Sequence, residues 1–305
     1  METPGGSTNL EWAQNFVAER SIRSRQPRIG ASFSLAMSTV GWGQRDDRLT
    51  YPAAEQSARP AVGDVHTGAA AGAAPVLLSE TPRTTASFGM WPFVEVLRRS
   101  EVPLERICEL TDITPAQVRD PEFRFTQATV NRIVGLAFDV IGPTAAVAAA
   151  LTVEAGHFQL LELIARSAPK VGNGLEQVCR FFPLLHDGGQ LVHELAADGS
   201  HTLRWIAPTA YEVHYGCLEL TFAVGLLGMR RETGRESCAP SAVWFYHAAP
   251  PDPVLHERVF GPVIHYGMTE ARMTFDRATA ALPLTRSNSS LHATAIRTAA
   301  DAIED

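Results

Sequence analysis

Ten histidines and four cysteines are the residues of this chain best suited to hold a metal ion or to move a proton. Structural zinc sites bring such ligands in close pairs, and here neither a His-x-x-x-His nor a Cys-x-x-Cys spacing occurs. Cys108, Cys179, Cys217 and Cys238 are widely scattered, at least three of them in apolar helical patterns, which predicts reduced thiols in the cytoplasm. A nucleophile elbow, a phosphate loop, a dinucleotide fingerprint and a metalloprotease helix are all missing. Gly172 and Gly174 open a helix whose free amides suit an anion, but the longer glycine pattern is lacking, and flexibility at a helix start accounts for them. These residues predict no metal, no cofactor and no catalysis. The chemistry that remains is recognition. Small-molecule sites combine aromatic walls with a few convergent polar groups, and His186, His193, Trp205, Glu212, His214 and Tyr215 are the candidates of that kind. His193 and His201 read as a cross-strand pair on a hairpin rather than as ligands of an ion, and His247 reads as the end of a strand.

The elements that must position those six side chains are legible in the apolar rhythm. From Tyr211 to Arg231 two stripes adjoin, one of Val213, Cys217, Leu220, Val224 and Leu227, the other of Tyr211, Tyr215, Leu218 and Phe222. A helix apolar over so much of its circumference is buried on two sides, which places any binding site between it and a sheet. The sheet announces itself where Leu191, His193 and Leu195 alternate with Gln190, Val192 and Glu194, turn at Asp198-Gly199 and return through Leu203 to Ile206. Further strands are expected over Ala242–His247, Val263–Tyr266 and Arg272–Asp276, with a short helix Val254–Phe260 between the first two. Ahead of the hairpin lie helical patterns. Thr114-Pro115-Ala116-Gln117 has the order of a capping box, and Thr126 caps a helix striped by Val130, Ile133, Val134, Ala137 and Ile141 and stopped at Gly142-Pro143. Helices follow over Ala145–Leu151, around Phe158 to Ile164, and from Leu175 through Leu185, the last closed by Asp187-Gly188-Gly189. Hairpin-joined strands with helices gathered beside them predict an α+β fold: an N-terminal helical subdomain followed by antiparallel sheet hairpins packed with helices.

Composition narrows the function. The 305 residues are 45% hydrophobic and 19% charged, an ordinary globular balance. A formal net charge of −7 argues against a chain whose own surface neutralises phosphates. Two short helices around Leu104 to Val118 superficially suit a DNA-reading pair, but Asp112, Asp120 and Glu122 beside them make a poor face for a duplex. No stretch approaches a membrane span and the first residues lack the order of a secretory signal, so a cytoplasmic location is expected. Residues 1–86, with the run TGAAAGAAP, cannot bury enough apolar surface to offset their ordering entropy. The expected division is therefore 1–86 a disordered leader, 87–150 a helical subdomain and 151–305 an α+β body, with Met90 a candidate for the true start.

The segment FQLLELIARSAPKVGNGLEQVCRFFPLLHDG, Phe158 to Gly188, resembles part of the N-terminal domain of one branch of AraC-type regulators, and Pro240 to Leu284 resembles it more closely. Val243, Phe245, His247, Pro250, Phe260, Pro262, Val263, Phe275, Asp276, Leu282, Pro283 and Leu284 fall on the fixed points of that pattern, and Asp120-Pro121-Glu122 matches its entry turn. The resemblance covers roughly Trp91 to Leu284. It implies a sensor that binds a small effector or mediates homodimerisation and controls an attached pair of helix-turn-helix motifs. No basic recognition helix is seen before Asp305, so DNA would be reached only through a domain absent here. A free-standing interaction protein that pairs with full-length regulators is the alternative, and a small-molecule enzyme the least favoured.

Overall fold

The computed structural model describes residues 83–206 and 213–304. Most of the leader, the start of the chain and Glu212 lie outside the described residues. The last leader residues form a strand, β1 (Thr84–Ala86), which pairs antiparallel with β2 (Arg124–Thr126). Between them run α1 (Ser87–Arg99), α2 (Leu104–Thr111) and α3 (Pro115–Arg119), and after them α4 (Gln127–Ile141) and α5 (Ala145–Ala150).

Local chemistry sets these boundaries. Thr114 Oγ1 accepts from Gln117 N at 3.2 Å while Gln117 Oε1 accepts from Thr114 N at 2.7 Å, so two amides left bare by the first turn of α3 are satisfied reciprocally. Thr126 Oγ1 caps α4 through Thr129 N. Gly142 ends that helix at φ 92°, a conformation a side chain would resist.

Two amphipathic helices come next, α6 (Gln159–Ser167) and α7 (Val171–Arg180). The sequence predicts that α7 runs on through Leu185, but it stops at Arg180 and gives way to a 3₁₀ turn, Phe182–Leu184. Pro183 is the cause, since it brings no amide hydrogen for the carbonyl four residues back and its ring crowds that carbonyl. The hairpin follows as β3 (Gln190–Leu195) and β4 (His201–Ile206), in the register Leu191↔Trp205 and His193↔Leu203. The long helix α8 (Tyr215–Thr233) leads to β5 (Ala242–Trp244), α9 (Val254–Phe260), β6 (Ile264–His265), β7 (Ala271–Phe275), α10 (Arg277–Ala280) and α11 (Ser289–Glu304).

The second sheet has the order β3-β4-β7-β5-β6. Its pairings are antiparallel except β5 with β6, which is parallel because the chain crosses over through α9 before returning to the edge. The fold is α+β. One continuous apolar core joins α1, α4 and α5 to α8 and the sheet, with Phe93, Phe181, Phe222, Phe245, Phe260 and Phe275 fully buried in it. At the exit of β7, Asp276 Oδ1 accepts from Thr279 N at 2.6 Å and starts α10. Asp276→Ala is expected to cost about 1 kcal/mol in a urea melt; an unchanged midpoint would show that this cap carries no weight.

Candidate ligand cleft

A cleft of about 440 Å³ lies along α8. The helix supplies one wall through Cys217, Thr221, Val224, Gly225 and Gly228. Opposite stand Phe158, Leu161 and Ala165 of the α6 region and Val171, Leu175 and Val178 of α7, and the sheet contributes Leu191, Leu203, Trp205 and Met273. Apolar walls follow from the amphipathic patterns of α6 and α7, which turn one stripe inward. The hollow follows from glycine. A methyl group built on Gly225 or Gly228 meets nothing within 4 Å outside the backbone of its own helix. Each costs a helix interior about 1 kcal/mol relative to alanine, and what the pair yields is space.

His186 stands in the cleft wall beside the hairpin. Its Nδ1 shares a 2.7 Å hydrogen bond with Thr85 Oγ1, and the ring stacks on Trp205 with centroids 5.6 Å apart. Its Nε2 has no hydrogen-bond partner. Burial drives the imidazole pKa down to about 4, with the nearby Arg124 lowering it further and Asp187 opposing, so the ring is neutral at pH 7. Trp205 closes over Gly189, where a Cβ would come within 2.6 Å of the indole.

Six charged residues also line the cleft, and five have partners. Arg231 reaches Glu162 at 2.8 Å and Glu232 at 3.2 Å. Glu162 also accepts from the amides of Gly156 and Phe158. Arg230 donates to the carbonyl oxygens of Cys238 and Val259, and Glu236 also has an interaction partner. Arg166 is the exception: half-buried in the wall, it has no ion pair or hydrogen bond from its side chain among the described residues. Burial holds Cys217 as a thiol, its pKa pushed up to about 12.

A second polar cluster was not anticipated from the sequence. Glu219, fully buried in the second turn of α8, places Oε1 2.9 Å from Nε2 of both His247 and His256. Its Oε2 has no hydrogen-bond partner. Burial works to raise the carboxyl pKa, but the hydrogen bonds and charges of His247 and His256 outweigh it and hold the pKa below the usual carboxylate range. His247, expected to end a strand, lies beyond β5 and stacks on Tyr215 at 4.3 Å. The available signal was one carboxylate inside a helix apolar on both faces; its partners lie 28 and 37 residues away.

Of the six residues singled out from the sequence, the structure places His186 and Trp205 together in the cleft wall. His193 shares the strand face of Leu191 but sits two residues nearer the turn, where its Nε2 meets His201 Nδ1 at 2.8 Å. His214 caps α8, its Nδ1 accepting from Gly216 N at 3.1 Å. Tyr215 is sandwiched between His214 and His247. These three are not among the wall residues; for His214 and Tyr215 the reason is that the first turn of α8 packs on Phe138 of α4 instead.

Fold and cleft together define an α+β domain with an apolar ligand-sized recess and, among the described residues, no group of side chains able to hold a metal ion. The family described as the arabinose-binding domain of AraC transcription regulators, N-terminal, matches residues 102–284, more than half of the chain, and the chain belongs to that family. A transcriptional regulator, CdpR from Pseudomonas aeruginosa, superposes with a TM-score of 0.46 and 10% identity over 70% of this chain and 64% of the other, so the match spans less than two thirds of that protein. No curated protein matches the chain. Among the described residues no helix is long and apolar enough to cross a membrane.

Proposed function

We propose that this chain is the effector-sensing module of an AraC-type transcription regulator, that the cleft along α8 is the effector site, and that the module performs no chemistry of its own. The observation that carries the reading is a recess of about 440 Å³ walled by apolar side chains, with Gly225 and Gly228 of α8 in its lining, within the size range of small-molecule sites. The site is also wired to an outer element. Glu232 O, at the end of α8, accepts from both Thr285 N and Thr285 Oγ1, and Ser167 O, at the end of α6, accepts from Asn288 N at the start of α11. One wall of the cleft thus holds the start of α11 and another the segment just ahead of it, and a change in their spacing would be passed to that helix. In this reading the module works as a homodimer in the cytoplasm and reaches DNA through helix-turn-helix motifs outside this chain, two modules presenting two readers to two half-sites.

A thermal-shift screen of metabolites against the 305-residue chain tests this. A ligand at 100 times its Kd is expected to add about 2.7 kcal/mol of stability, while fluorescence anisotropy with promoter DNA at physiological salt is expected to show no sequence-dependent binding. Metabolite turnover, or tight specific DNA binding by this chain alone, would overturn the proposal.

A further inference from the structure

Taking the cleft as the effector site, its wall also selects a class of ligand. A pentose would bring a hydroxyl on nearly every carbon, each needing a partner once out of water. The cleft offers few. Glu162, Arg230 and Arg231 are already held by one another, by Glu232 and by backbone groups, as described above. Among the described residues three polar positions lack a hydrogen bond: Oε2 of Glu232, which faces Arg286 at 3.7 Å, the guanidinium of Arg166, and Nε2 of His186, a residue only 5% exposed; only the last two are without a charged partner. Arg166 is one turn beyond Glu162 on α6, and Glu162 is occupied by Arg231 and two amides. A bare guanidinium at the edge of an apolar recess fits a planar anion, which it grips with two parallel hydrogen bonds. The apolar surface at Gly225 and Gly228 fits a body with no hydrogen-bonding groups.

We propose that the cleft takes an amphipathic organic acid, its carboxylate on Arg166 and its alkyl or ring body against the Gly225–Gly228 face of α8, rather than a sugar. His186 adds one neutral hydrogen bond for a polar atom on that body.

Calorimetry on the whole chain with decanoate, decanol and L-arabinose, the first two below their aggregation concentrations, tests the assignment. Decanoate is expected to bind at least tenfold more tightly than decanol, and arabinose not at all. Arg166→Gln is expected to erase the preference for the acid. Gly228→Leu is expected to abolish decanoate binding while raising the Tm of the free protein, because a better helix former fills empty space; a merely damaged fold would lower it. Equal binding of acid and alcohol, with Arg166→Gln silent, would overturn the anion while leaving the cleft as the site. Decanoate binding that survives Gly228→Leu would overturn the cleft itself and with it the proposed function. Arabinose binding, or no binding of decanoate, would overturn the ligand class alone.

Discussion

Glu219→Ala is expected to lower the stability of the protein by about 2 to 3 kcal/mol, the scale for leaving a buried hydrogen-bonding group without its partner. The carboxylate is fully buried and its Oε1 faces two imidazoles, one on α9 and one in the segment after β5, so a single side chain of α8 fastens two elements distant in sequence. Removing it leaves Nε2 of His256 without its acceptor and takes away the carboxylate 2.9 Å from Nε2 of His247, and His256 is itself fully buried, with Nδ1 already unpartnered. Water cannot replace the lost oxygen without opening the packing around Phe245 and Tyr266, whose rings lie against His247. Glu219→Gln keeps one acceptor and is expected to lose less. The effect is cooperative: once Glu219 is gone, His256→Ala is expected to cost much less than in the native background, since the two losses share one interaction. Urea melts of the single and double variants measure this. A loss below about 1 kcal/mol for Glu219→Ala, or strict additivity with His256→Ala, would show the cluster to be incidental.

That cluster also marks where the sequence stops being legible. Signals acting over a few residues could be read directly: Thr114 with Gln117, Thr126 ahead of its helix, the Asp198-Gly199 turn with its flanking alternation. Each is a local hydrogen bond or steric preference that needs no tertiary partner. The boundary of α7 was misplaced because the apolar spacing continues through Leu185, while Pro183 forbids the backbone to follow it. The parallel pairing of β5 with β6 depends on how α9 packs, and alternation along a strand does not record direction. The cleft lies deeper still. Gly225 and Gly228 look in sequence like weak points of a long helix, and only the positions of α6, α7 and the hairpin turn them into a void. His186 and Trp205 could be nominated as an aromatic residue and a polar residue near a sheet; the same rule named His214 and Tyr215, whose rings are spent on packing the first turn of α8 against α4. Residue type identifies what can bind, but the facing partner decides whether it is free to.

His186 provides the second large effect, in the form of pH dependence. Burial holds its pKa at about 4 in the folded protein against 6.5 for an ordinary imidazole. Above pH 6.5 the ring is neutral in both folded and unfolded chains and contributes nothing to the pH dependence. As the pH falls below 6.5 the unfolded chain takes up the proton first, so stability drops through the window from 6.5 to about 4 and changes no further through this group below it. A gap of that size is worth about 3 kcal/mol. Burial also lowers the pKa values of His193, His201 and His214, so the wild-type curve sums several groups. The difference between wild type and His186→Phe isolates one of them. The variant is expected to be less stable at pH 7, having lost the hydrogen bond to Thr85, and to close that gap or reverse it by pH 4, because phenylalanine has no proton to refuse. Parallel stability curves for the two proteins between pH 7 and 4 would mean that the ring accepts its proton without penalty. A ring so accessible would have its Nε2 satisfied by water, and the case for His186 as a neutral contact in the cleft would fall with it.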